Sequence, residues 1–147
     1  MSERTVFQAM AHRHVISLPP KATVHEAACL MTKVGCSSVL VVEPGANTML
    51  GIVTERDLMT RVLAKAVDPQ QTTVQAVMTA NPQCVLPETK VADAVLIMIE
   101  RGFRHLPVVG ADGKTLGVFS VRDALPREVG TAVSLSEFHE QVNDALG

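Results

Sequence analysis

Two residue pairs in this 147-residue chain have the types and spacing to do chemistry: Thr54 with Asp57, and Ser120 with Asp123. Each follows an apolar run, in Gly51-Ile52-Val53-Thr54-Glu55-Arg56-Asp57 and in Gly117-Val118-Phe119-Ser120-Val121-Arg122-Asp123. A hydroxyl followed three positions later by a carboxylate, at a strand-to-helix junction, is a capping box, and the helix dipole favours the acid in the first turn. On that reading the residues hold the fold and bind nothing. The same position turns helix-start amides toward a cleft. An aspartate there can accept from two neighbouring hydroxyls, as on a ribose, while the Thr or Ser bonds the sugar or a phosphate. The residues alone leave both readings open.

The two hydroxyls lie 66 positions apart (120 minus 54), as do the two aspartates (123 minus 57). A repeat of this period means one supersecondary unit used twice. In the first copy, Thr23 and Glu26 form a capping box, and Val24, Ala27, Ala28 and Met31 give a helical apolar face that ends at Gly35. Val39 to Val42 reads as a strand covered on both faces, Glu43 to Asn47 as a turn, and Leu50 to Val53 as the return strand. Thr54 then caps a helix running to about Ala66. In the second copy, Val91, Ala94, Val95 and Met98 form the helical face, which ends at Gly102. Leu106 to Val109 and Leu116 to Phe119 are strands joined at Asp112-Gly113. Short helices at Val6 to Met10 and Val74 to Met78 precede extended pieces at Val15 to Ser17 and Gln83 to Val85. Ser120 caps a short helix that Pro126 curtails.

The expected fold is therefore α+β: two tandem β-α-β-β-α repeats related by a pseudo-twofold axis, plus a C-terminal helix. Residues 1–68 form the first repeat, 69–126 the second, and 127–147 the extension. One repeat is too small to cover its own sheet, so two should pack together. In the extension, Ser134 and Glu137 read as another capping box, and Leu135, Phe138, Val142 and Leu146 as an apolar stripe needing a surface to cover.

Composition excludes several classes of function. The formal net charge is −2, and the chain has no Trp, no Tyr and only four Phe. Nucleic-acid binding by clustered basic groups or base stacking is not expected. Cys29, Cys36 and Cys84 make no even framework and no CxxC pair, which suits a reducing cytosol. No signal layout and no bilayer-length apolar run is found, so a cytoplasmic chain without membrane contact is the expectation. A nucleophile elbow, a Walker loop, GxGxxG and HExxH are all missing from the sequence, so no enzyme is expected. His12 and His14 flank Arg13 without ligand spacing, and no metal site is expected.

The layout resembles a CBS-domain pair, or Bateman module, over roughly Val6 to Leu125. The residues carrying the resemblance are Val77-Met78-Thr79, the helix starts at Val24 and Val91, Arg104-His105-Leu106-Pro107-Val108-Val109, and both Gly-x-x-Thr/Ser-x-Arg-Asp segments. The resemblance implies a regulatory module that binds adenosine nucleotides or relatives (AMP, ADP, ATP, S-adenosylmethionine, sometimes NAD) in clefts between repeats and signals occupancy by a conformational shift. It implies no required cofactor, a homodimer, and a downstream protein that the sequence does not name. Carried over, one cleft pairs Ser120 and Asp123 with Ala11, Ile16 and Ser37, with Arg104 and His105 near the phosphates. The other pairs Thr54 and Asp57 with Thr79 and Cys84. There the first repeat has Ser37-Ser38 in place of Arg104-His105, so the Asp123 cleft is expected to take the charged tail. The alternative is a structural or dimerisation module with no ligand.

Overall fold

The computed structural model describes residues 3–46 and 48–146 and separates into two compact units. One comprises Val15–Pro82. The other comprises Met1–His14 together with Gln83–Gly147. These units are cut differently from the sequence repeats, because each short helix folds with the other repeat's segment. In chain order the elements are α1 (Val6–Ala9), β1 (Ser17–Leu18), α2 (Val24–Val34), β2 (Ser38–Glu43), β3 (Thr48–Thr54), α3 (Glu55–Asp57), α4 (Val74–Val77) and β4 (Thr79–Ala80). Then follow α5 (Val91–Arg101), β5 (His105–Val109), β6 (Thr115–Ser120) and α6 (Pro126–Leu146).

Backbone bonds make the exchange of short helices. The Val6 amide donates to the Thr89 carbonyl at 2.8 Å, and the Val91 amide to that of Arg4 at 3.0 Å. The matching pair in the other unit is Val74 to Ala22 at 2.8 Å and Val24 to Thr72 at 2.9 Å. Val6 and Met10 then bury with Val91, Val95, Leu106 and Phe119. Val74 and Val77 bury with Val24, Ala27, Val39 and Val53. Full burial of a Val side chain is worth about 1.5–3 kcal/mol, so these contacts outweigh sequence proximity in deciding where a four-residue helix belongs.

In the Val15–Pro82 unit the sheet runs β1-β2-β3-β4, with β1 parallel to β2 and the remaining pairs antiparallel. Ser38 to Val41 are buried, as a strand covered on both faces requires. Gly35 caps α2 with φ 78, a left-handed conformation that L side chains avoid. Gly102 does the same for α5 with φ 81. Asn47, expected in the turn between β2 and β3, lies outside the described residues. In the other unit β5 and β6 pair antiparallel, and Val85 bridges Val108 in parallel.

Two expectations near the C-terminus are overturned. Pro126 does not curtail a helix but opens α6, since proline's fixed φ and missing N–H suit the first helical position. A short 3-10 turn, Val121–Asp123, precedes it. Because α6 begins at Pro126, Ser134 is a mid-helix residue and caps nothing: its Oγ donates back to the Gly130 carbonyl at 3.1 Å. The helix packs along α5 and buries Glu128 and Ala132. The stripe of Leu135, Phe138, Val142 and Leu146 stays exposed, with Phe138 at 60% and Leu146 at 82%.

Candidate ligand-binding site

Both Thr/Ser-x-x-Asp segments form the reciprocal capping box that the sequence allows. In the first, Asp57 Oδ2 accepts from the Thr54 amide at 2.9 Å and from the Thr54 hydroxyl at 3.1 Å. The Asp57 amide donates to Thr54 Oγ1 at 3.3 Å. In the second, Asp123 Oδ2 accepts from the Ser120 amide at 2.9 Å, and Ser120 Oγ accepts from the Arg122 amide at 3.3 Å. One oxygen of each carboxylate is thus committed to the backbone.

The other oxygen differs between the copies. Asp57 Oδ1 lies 3.6 Å from Arg61 Nε, one helical turn on. Arg61 Nη1 also donates to the carbonyls of Val77 at 2.9 Å and Met78 at 3.3 Å, tying the end of α4 to the same place. Asp57 is buried beneath this arrangement. Asp123 is half-buried, and its Oδ1 accepts from the Ala11 amide at 3.3 Å. Its main-chain carbonyl accepts from Arg4 Nη2 at 3.0 Å. A carboxylate oxygen has two lone pairs, so Asp123 Oδ1 keeps capacity for a further donor.

The glycine of each motif stands where a neighbouring segment passes close by. A Cβ on Gly51 would meet Met78 Sδ and the Thr79 carbonyl, both at 2.6 Å. A Cβ on Gly117 would meet Met10 Cε at 2.7 Å and the carbonyls of His12 and His14 at 3.2 and 3.3 Å. The opposing strand bulges beside each glycine, between Val41 and Val42 and between Val108 and Val109. Bulges and glycines together let a segment approach a strand more closely than a side chain would permit.

The remaining sequence-predicted residues divide between the units. Arg104 and His105 sit beside the Ser120 turn: the Val121 amide donates to the Arg104 carbonyl at 3.0 Å, and His105 is the register partner of Ser120. Ser37 has the equivalent place beside Thr54, accepting from the Glu55 amide at 3.0 Å. Thr79 pairs with Ile52 on β3, two residues before Thr54. Ile16 accepts from the Leu40 amide at 2.9 Å. Ser120, Asp123, Ala11, Arg104, His105 and Cys84 therefore share one unit. Thr54, Asp57, Thr79, Ile16 and Ser37 share the other. Burial pushes the Cys84 thiol up.

Sequence reasoning missed Arg4, Arg61 and Glu128. Arg61 carried a signal, since Asp and Arg four apart on a helix face each other. Arg4 and Glu128 lie at opposite ends of the chain and had none. Their contact is bidentate: Arg4 Nη2 to Glu128 Oε1 at 2.7 Å, and Nε to Oε2 at 3.1 Å. These bonds hold the Glu128 carboxyl below the usual carboxylate range and raise the guanidinium further. Glu128 Oε1 also accepts from the Leu125 amide at 2.7 Å, at the start of α6.

A duplicated α+β scaffold with a paired strand-hydroxyl-aspartate turn defines a class of tandem-repeat modules. The family model of the CBS domain matches residues 6–64 and 74–129, and the chain belongs to the CBS-domain family as a CBS pair with a C-terminal helix. An uncharacterised 17.7 kDa protein of Acidianus ambivalens is 34% identical over 119 residues, covering 81% of this chain and 70% of that protein. The meiotically up-regulated gene 70 protein of Schizosaccharomyces pombe is 32% identical over 88% of this chain, which spans only 20% of that protein's length. A CBS-domain protein of Pyrobaculum aerophilum, solved in complex with AMP, superposes with a TM-score of 0.77 at 25% identity, covering 90% of this chain and 99% of that one. Among the described residues no helix is long and apolar enough to cross a membrane, and no group of three His, Cys, Asp or Glu is placed to hold a metal ion.

Proposed function

We propose that this chain is a regulatory module binding an adenosine nucleotide at the Asp123 turn. The observation that carries the reading is the Asp123 carboxylate itself: half-buried, fixed by Ser120, and keeping acceptor capacity on Oδ1. A ribose diol supplies two donors matched to such a carboxylate. Exposed Arg104 stands beside the same turn and supplies a positive charge for phosphate. The AMP bound by the Pyrobaculum relative supports adenosine as the nucleoside. AMP, ADP and ATP are favoured over adenosyl ligands without a phosphate because of Arg104. S-adenosylmethionine belongs to the less favoured set. The Asp57 turn, whose carboxylate already faces Arg61, is the weaker or empty site.

A second reading, a structural module without ligand, is favoured by one observation: both carboxylates serve their own capping boxes. Calorimetric titration of the full chain with AMP, ADP, ATP and S-adenosylmethionine separates the two. Saturable nucleotide binding that Asp123→Ala weakens about a hundredfold, with the fold intact by circular dichroism, is the expected result. Wild type that binds none of the four, with Asp123→Ala melting well below it, establishes the structural reading instead. A homodimer and a downstream protein target belong to the sensor reading, and light scattering with and without AMP checks the first.

A further inference from the structure

One guanidinium connects the Asp123 turn to the start of α6. Arg4 Nη2 donates both to the Asp123 carbonyl at 3.0 Å and to Glu128 Oε1 at 2.7 Å. That same Glu128 oxygen accepts from the Leu125 amide, the residue before α6. The Asp123 carboxylate meanwhile accepts from Ala11, seven residues after Arg4 on the segment that contains α1. The side chain of Glu128 is 9% exposed and that of Arg4 30%, so the ion pair is sheltered on one side. A bidentate pair of this kind fixes geometry as well as charge, which a single ammonium would not do.

We infer that Arg4 is a positioning residue for the Asp123 site and the link through which occupancy there reaches the first turn of α6. The step to occupancy rests on the ligand reading above; the link itself does not. A ribose hydroxyl donating to Asp123 Oδ1 would share that oxygen with the Ala11 amide and pull on the turn that both bonds hold. A shift of the Asp123 main chain either breaks its bond to Arg4 or carries Arg4 along and loosens the Arg4 bonds to Glu128. The link requires that Arg4 follows, which alters the Glu128 oxygen that orders Leu125 at the start of α6. The ligand moves this equilibrium only by its differential affinity for the two arrangements.

Amide hydrogen exchange, followed by NMR on the full chain, tests the link without any ligand. In Arg4→Met, and independently in Glu128→Gln, the Ser120 and Leu125 amides should exchange about tenfold faster while Val95 in α5 does not change, since bonds to charged groups are the strong ones. Arg4→Lys should not restore the wild-type rates. Unchanged rates at Ser120 and Leu125, or a uniform rise at every amide including Val95, overturn the inference. With AMP added, the Leu125 rate should change in wild type and stay constant in Arg4→Met. If AMP binds and Leu125 responds equally in Arg4→Met, the link fails and the ligand reading survives. If AMP does not bind while the ligand-free effect is present, the ligand reading fails and the link survives.

Discussion

The Asp57 and Asp123 turns begin from nearly the same residues and end in different surroundings. Each is followed four positions later by an arginine, Arg61 and Arg127. After Asp57 the chain continues as a helix, winding as a π-helix over Leu58–Leu63, and Arg61 comes back over the carboxylate. After Asp123 the turn is 3-10 and Pro126 starts a new helix, so Arg127 is exposed and its charge acts on Glu128 instead. The guanidinium that bonds the main chain of the second turn is that of Arg4, from the far end of the sequence. The duplicated motif thus keeps its capping bonds while the charged groups around it differ between the copies. The first copy is closed over by its own helix, and the second keeps an acceptor available.

The widest gap between the copies should appear in nucleotide binding. Asp123→Ala should weaken AMP binding by about a hundredfold, as expected from losing hydrogen bonds to a charged acceptor. Asp57→Ala should leave AMP affinity within about threefold and instead lower thermal stability by about 1–2 kcal/mol through the lost cap. Calorimetry and thermal melts on both variants check this, and equal losses of affinity would erase the distinction.

Next in size is the response of the two glycines. Gly51→Ala drives a Cβ into the Thr79 backbone at 2.6 Å, whereas Gly117→Ala meets its tightest contact at the flexible end of Met10. Gly51→Ala should cost about 2–3 kcal/mol by overpacking. Gly117→Ala, with φ 151 in the glycine to overcome, should cost about 1–2 kcal/mol. Urea titration gives both values, and the reverse order would contradict the packing described.

Arg61→Met should have a smaller effect, about 0.5–1 kcal/mol, because the Asp57 contact is long and Arg61 is exposed. Part of that loss comes from the carbonyls of Val77 and Met78. A melt of Arg61→Met within error of wild type would show the arginine to be idle.

The smallest effect concerns acid. Glu128 titrates below its ordinary value when folded, mainly because Arg4 bonds it, with Arg127 adding to the same field. Its contribution is therefore present above the unfolded-state value and disappears as pH falls through the lower folded one. Stability measured across that acidic window should decline less steeply in Glu128→Gln than in wild type. Parallel pH profiles would remove the ion pair from the account.

Much of this was legible in the sequence because it is local or periodic. The capping boxes at Thr54 and Ser120, the Thr23 cap, the left-handed Gly35 and Gly102, the apolar faces of α2 and α5 and the 66-residue repeat all follow from steric limits and side-chain reach within a few residues. The same residues also carried the resemblance to CBS pairs that the family match bears out. Tertiary structure decided the rest. It set which unit receives each four-residue helix, whether Pro126 ends or begins one, and that Arg4 bonds the Asp123 turn. The physical reason is that a short helix has little stability of its own and goes where its apolar face is buried, while a guanidinium binds whichever acceptors packing brings within 3 Å. Neither outcome is written in the neighbours of the residue concerned.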